Sequence, residues 1–157
     1  MTEPTTRVAR VCSLLNEQQV KYVLVGATAM QLWGTTRATR DIDILIEPTL
    51  ENAQRVLDAL ARLTWGVANE WLAEEIVRRP VTIIGDQPRV DILTVAWSVH
   101  YRTAAPRAIV FEVEGVRIPT ASLDDLIASK RTSRTQDAAD IEVLEEIRRL
   151  RGPAGAG

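Results

Sequence analysis

VLVGATAMQLWGTTRATRDIDILI, running from Val23 to Ile46, brings a glycine turn and two carboxylates together within a short length of chain. In an extended strand the side chains at i and i+2 point the same way, so Asp41 and Asp43 share one side while Ile42, Ile44 and Ile46 share the other. The isoleucine side reads as core and the acidic side as a site. Two carboxylates beside a packed strand repel each other and resist desolvation, a cost that a cation between them removes. Mg²⁺ or Mn²⁺ suits that position. Upstream, Tyr22–Val25 is a short apolar strand ending at Gly26, and Ala27–Trp33 reads as a helix stopped by Gly34. A helix start offers free backbone N–H groups and the positive end of a dipole, and glycine lets a phosphate approach the backbone closely. Between this helix and the acidic strand lies GTTRATR, whose Arg37 and Arg40 read as solvated loop charge or as cations near the carboxylates.

The rest of the chain alternates helices and strands around this segment. Val8, Val11, Leu14 and Leu15 recur at helical spacing and predict a first helix over about residues 6–19. Pro48 closes the acidic strand, Thr49 caps a helix with Val56, Leu57 and Leu60 on one side, and a second helical stretch covers about residues 69–79. Two strands, 81–84 and 89–95, are joined by the polar turn GDQP. Residues 97–107 read as irregular, with Trp97, His100 and Tyr101 on a loop. A hairpin over 108–118 turns at Glu114-Gly115, Ser122 caps a helix that reaches Lys130, and a last helix with an apolar stripe of Ile141, Leu144 and Ile147 runs to Leu150. Asp137 and Asp140 fall at the start of that helix, where acids complement the dipole.

With 157 residues, 46% of them hydrophobic, the chain suffices for one domain, expected over 1–151, followed by a disordered tail, 152–157. A net charge of −2 gives no global pull towards nucleic acid, so any polyanion is held locally. The single cysteine, Cys12, excludes an intramolecular disulfide, and no apolar run approaches the roughly 18 residues of a membrane span. A cytoplasmic protein without membrane contact is the expectation. One histidine, His100, argues against a His-based zinc centre, and no nucleophile motif for a catalytic triad is present.

The segment Arg89–Val95, RVDILTV, repeats the grammar of the acidic strand and supplies a third acid, Asp91. Either Asp91 pairs with Arg89 or meets water at a strand end, or, if its strand lies beside the first, three carboxylates converge. Three acids on adjacent strands near a glycine turn suit two-metal phosphoryl or nucleotidyl transfer, in which two divalent ions about 4 Å apart stabilise the attacking and departing oxygens. Asp41 and Asp43 would bridge both ions, and Asp91 would complete one and accept the proton of the attacking hydroxyl.

Gly26, Arg37, Thr39, Asp41 and Asp43, in the form G-x10-R-x-T-x-D-I-D, resemble the signature of the nucleotidyltransferase superfamily related to DNA polymerase β. More narrowly they resemble the branch that holds the toxins of type IV abortive-infection systems. A second block, Asp125-Leu126-Ile127-Ala128-Ser129-Lys130 followed by Arg134, Asp137 and Asp140, is similar to that branch's D-L-x-x-x-K-x3-R-x2-D-x2-D pattern. The resemblance implies an α+β fold, a polymerase-β-like mixed β-sheet flanked by helices. It implies Asp41, Asp43 and Asp91 as catalytic metal ligands for Mg²⁺ or Mn²⁺, and binding of an NTP by Gly26, Ala27, Arg37, Thr39, Lys130 and Arg134. Ala27 stands where the family usually has a second Gly or Ser, which removes a hydroxyl but leaves backbone donation. The activity implied is transfer of NMP from an NTP to a hydroxyl on tRNA or other RNA, a protein or a small molecule, with a toxin role and an antitoxin partner as further implications. An antibiotic-modifying adenylyltransferase and a silent nucleotide-binding or partner-binding module share the same core.

Overall fold

A computed structural model describes residues 4–36, 39–85 and 88–155. The first helix, α1 (Arg7–Glu17), is capped by the Thr6 hydroxyl, which accepts from the Ala9 N–H. It leads into β1 (Tyr22–Val25), α2 (Gly26–Trp33) and β2 (Ile42–Ile46). Thr49 caps α3 (Leu50–Leu60) through its hydroxyl, which accepts from the Asn52 N–H, and α4 (Ala73–Arg78), β3 (Val81–Ile84) and β4 (Val90–Leu93) follow. The chain continues through α5 (Tyr101–Ala104), β5 (Ile109–Val113), β6 (Val116–Thr120), α6 (Leu123–Ser129) and α7 (Thr135–Gly155). Gly152, at φ +69°, breaks the path of α7 before its last turn, and Ala156 and Gly157, the end of the expected tail, lie outside the described residues.

The six strands form one sheet in the order β3-β4-β2-β1-β6-β5. β2 pairs with β4, and β1 with β6, in parallel, while the other neighbours are antiparallel, which gives the mixed sheet of the expected α+β class. β1 is buried along its whole length, so both faces of the central strands are covered. α1 packs on α3, which packs on α4; a second group joins α2 to α6 and α6 to α7. Asn52, buried in the first turns of α3, ties that helix to the sheet: its side chain donates to the Lys21 and Glu47 carbonyls and accepts from the Lys21 N–H. Among the described residues no helix is long and apolar enough to cross a membrane.

Three local expectations change. The helix expected over about 69–79 is a 3-10 turn (Thr64–Glu70), an extended Trp71 and the short α4, because the Glu75 carboxylate accepts from the Leu72 N–H and starts a new helix there. The stretch read as irregular, 97–107, contains α5 and a 3-10 turn over Ala105–Arg107; elements this short leave no periodic signal. Pro119 and Thr120 extend β6 beyond Ile118, with Pro119 opposite Val110 of β5.

Trp33 closes α2 as a buried anchor. Its Nε1–H donates to the Ala121 carbonyl at 2.8 Å, its ring meets Phe111 edge-on at 5.2 Å, and the Arg151 guanidinium lies 4.8 Å above it. Trp33→Phe leaves that carbonyl without its donor, so a loss of about 1–2 kcal/mol is expected in urea unfolding, with the slope unchanged.

Candidate active site

The site is built at the start of β2. Ile42, Ile44 and Ile46 are buried as their alternation requires, but Leu45, on the acidic side, is also fully buried. The acidic face is therefore open only near its first residues, and core closes it one step further along. Asp41 stands just before β2 with nearly half its side chain exposed. The Thr28 hydroxyl of α2 donates to the Asp41 carbonyl at 2.9 Å, and the Asp41 N–H donates to Thr39 Oγ1 at 3.3 Å, so both flanks of the strand entry are fastened. Thr39 and Arg40, with Thr28, Gln31 and Ile42, also line a cleft of about 540 Å³. Arg37 lies outside the described residues.

Gly26 opens α2 at φ +71°, a backbone state that L side chains rarely adopt, and a Cβ there would fall 2.2 Å from Asp43 Oδ2. Glycine is thus what admits the Asp43 carboxylate against the turn. No side chain caps α2 at Val25, which leaves the N–H groups of its first turn, Gly26 and Ala27 among them, without that partner. The second carboxylate oxygen, Asp43 Oδ1, is buried and has no hydrogen-bond partner.

The register of β2 with β4 sets Asp43 directly opposite Asp91. Desolvation, with Asp91 and Asp41 close by, pushes the Asp43 carboxyl up to about 7, against the pull of Lys130 and Arg89. Asp91 does not stand open beside it. Arg89 grips both of its oxygens, Nε to Oδ1 at 2.8 Å and Nη2 to Oδ2 at 3.1 Å, and reaches Asp41 Oδ2 at 3.7 Å. Asp91 thus pairs with Arg89, as one of its two sequence readings has it, and lies across the sheet from Asp43. Among the described residues no three His, Cys, Asp or Glu side chains stand ready as a group to hold a metal ion. The donor set nevertheless fits a hard divalent cation, since it consists of carboxylate oxygens and one of them, Asp43 Oδ1, lacks any partner.

Lys130 and Arg134, four residues apart, do not lie on one helix. Lys130 ends α6 and Arg134 precedes α7, so the i, i+4 relation has no helix to act through. They meet instead at Asp137, with Lys130 Nζ 3.5 Å from Oδ1 and Arg134 Nε 2.8 Å from Oδ2. Lys130 also lies 3.3 Å from Asp140 Oδ2. Asp137 and Asp140, read as dipole-complementing acids, are in fact buried and grip the ammonium that acts on Asp43. Another pair escaped the sequence reading: Asp125, buried at the start of α6, is held by both Nε and Nη2 of Arg107. None of these pairings could be read from the chain, but the acids of the second block were the available signal.

Compared with families of known proteins, residues 7–150 match the model described as a nucleotidyltransferase of unknown function (DUF6036). The mixed sheet flanked by helices is consistent with a nucleotidyltransferase-type fold. A search of curated proteins gave no match.

Proposed function

Because this chain belongs to the family of nucleotidyltransferases of unknown function, we propose that it is a metal-dependent enzyme that moves NMP from an NTP to a hydroxyl acceptor. One observation carries the reading: an Asp43 carboxylate with one buried, unpartnered oxygen, Oδ1, and the other, Oδ2, tucked against Gly26, on a strand whose register brings Asp91 alongside. A buried carboxylate pushed towards neutrality is a costly arrangement for a scaffold and a useful one for a cation site.

In this reading Asp41 and Asp43 hold Mg²⁺ or Mn²⁺, and Asp91 joins them. When bound, the cation acts as a Lewis acid on phosphate oxygens. The backbone N–H groups of Gly26 and Ala27 hold the polyphosphate at the start of α2, with Thr39 at the rim. Lys130, steadied by Asp137 and Asp140, supplies positive charge that acts on Asp43, and Arg134 extends that charge to the surface. Arg37 completes the nucleotide-binding set. Asp91 takes the proton of the acceptor hydroxyl as it attacks the α-phosphorus, and pyrophosphate leaves.

The test supplies each NTP, labelled at the α-phosphate, with Mg²⁺ and separate pools of tRNA, other RNA, protein and small molecules. Label is expected on one acceptor class, with equimolar pyrophosphate, and chelation of the metal is expected to abolish both. The labelled class decides between a toxin-like action on RNA or protein and modification of an antibiotic. NTP binding without pyrophosphate from any pool would overturn the enzyme reading in favour of a silent module.

A further inference from the structure

We propose that Arg89 is the resident counter-ion of the acid cluster, a positioning residue that holds Asp91 shut until a divalent cation and a nucleotide phosphate together take its place. The inference rests on the metal-dependent reading above. Arg89 and Asp91 are two residues apart in extended chain, so their side chains leave on the same side. The Arg89 carbonyl accepts from the Ile42 N–H at 3.0 Å, which roots the residue against the entry of β2. From that root the guanidinium occupies both oxygens of Asp91 and approaches Asp41.

A divalent ion ligated by those same oxygens would sit against a like charge, so the fork must open before Asp91 can ligate. The side chain is free to do so, because 40% of it is exposed whereas Asp91 is 15% exposed. Once released, its planar fork matches the oxygens of a phosphate. Asp43 Oδ1 has no hydrogen-bond partner to give up. The arrangement couples the two ligands. Without nucleotide, a cation competes with Arg89; with nucleotide, the displaced guanidinium gains a new anionic partner. The protein therefore takes up cation and nucleotide as one load.

Titration with Mn²⁺, with free ion read by electron paramagnetic resonance, tests this in wild type, Arg89→Ala and Asp43→Asn. Without nucleotide, Arg89→Ala is expected to bind Mn²⁺ about tenfold more tightly than wild type, as expected for loss of one charge-assisted pair. With a non-hydrolysable NTP analogue the order reverses, and Arg89→Ala binds the Mn²⁺–analogue pair about tenfold more weakly. If alanine at this position does not fold, Arg89→Gln, which keeps a polar contact to Asp91 without the charge, carries the same expectation. Mn²⁺ affinity no tighter in the Arg89 variants, while Asp43→Asn loses it, would overturn the counter-ion role and leave the metal site standing. Equal Mn²⁺ binding by wild type and Asp43→Asn would remove the metal reading and this inference with it.

Discussion

Asp43→Asn is expected to be the more stable protein and the inactive one. The carboxyl is pushed up to about 7 by burial and by the acids beside it, so the folded state takes up a proton where the unfolded chain does not. Between about pH 4 and pH 7 the folded form binds more protons than the unfolded form, and stability falls as pH rises through that window. Below it both forms are protonated and the penalty is absent; above about pH 7 it is fully present. At about 1.4 kcal/mol per pKa unit the penalty has an upper bound of about 4 kcal/mol. Asparagine removes it. Thermal melts without metal should show the variant gaining on wild type as pH is raised from 4 to 8, with no gain at pH 4. Nucleotidyl transfer should fall by about 10³-fold or more, since the variant lacks the buried anionic oxygen that the reading assigns to the cation. A variant as active as wild type would end the assignment of catalysis to this strand, and one that melts lower at pH 8 would show that Asp43 is a structural anchor instead.

Gly26→Ala is expected to lose stability and activity together. The positive φ costs an L-residue about 1–2 kcal/mol, and forcing a methyl into filled space adds about 1–3 kcal/mol. The second term has a named partner, for the new Cβ would stand 2.2 Å from Asp43 Oδ2 and 3.0 Å from Asp43 Cβ. Either the carboxylate swings away from Asp91 or the turn that opens α2 shifts. A double-mutant cycle separates the two costs. Asp43→Ala removes the oxygen and Cγ, so Gly26→Ala in that background should cost only the backbone term plus a mild contact, with a coupling of about 1–3 kcal/mol. Additive losses would mean that the two residues do not meet as described.

The segment from Tyr22 to Ile46 was legible because everything that shapes it is local. Alternating apolar residues, a glycine between strand and helix and a second glycine after Trp33 mark β1, α2 and β2 with no help from the rest of the chain. What made the acids a cluster was not local. Asp43 and Asp91 meet only because β4 takes a parallel place beside β2, and strand order and register are properties of the whole sheet. The same limit hid the partners of the buried acids. Arg107 finds Asp125 across 18 positions and Lys130 finds Asp137 across a turn, so neither pair follows a helical spacing that the sequence displays. Arg89 lies between these cases: its i+2 relation to Asp91 was readable, but its reach to Asp41 needed the neighbouring strand.

The in-register pairing of β2 with β4 has a consequence for how this protein tolerates change. Neighbouring strands keep a spacing of about 4.8 Å whatever joins them, so the distance between the Asp43 and Asp91 backbones is a lattice constant of the sheet. The long excursion through α3 and α4 does not set it, and β3, paired with β4, belongs to the same sheet. Lengthening, shortening or redecorating that excursion can alter what the protein meets at its surface while the two acids keep their separation, much as tooling changes around a fixed die.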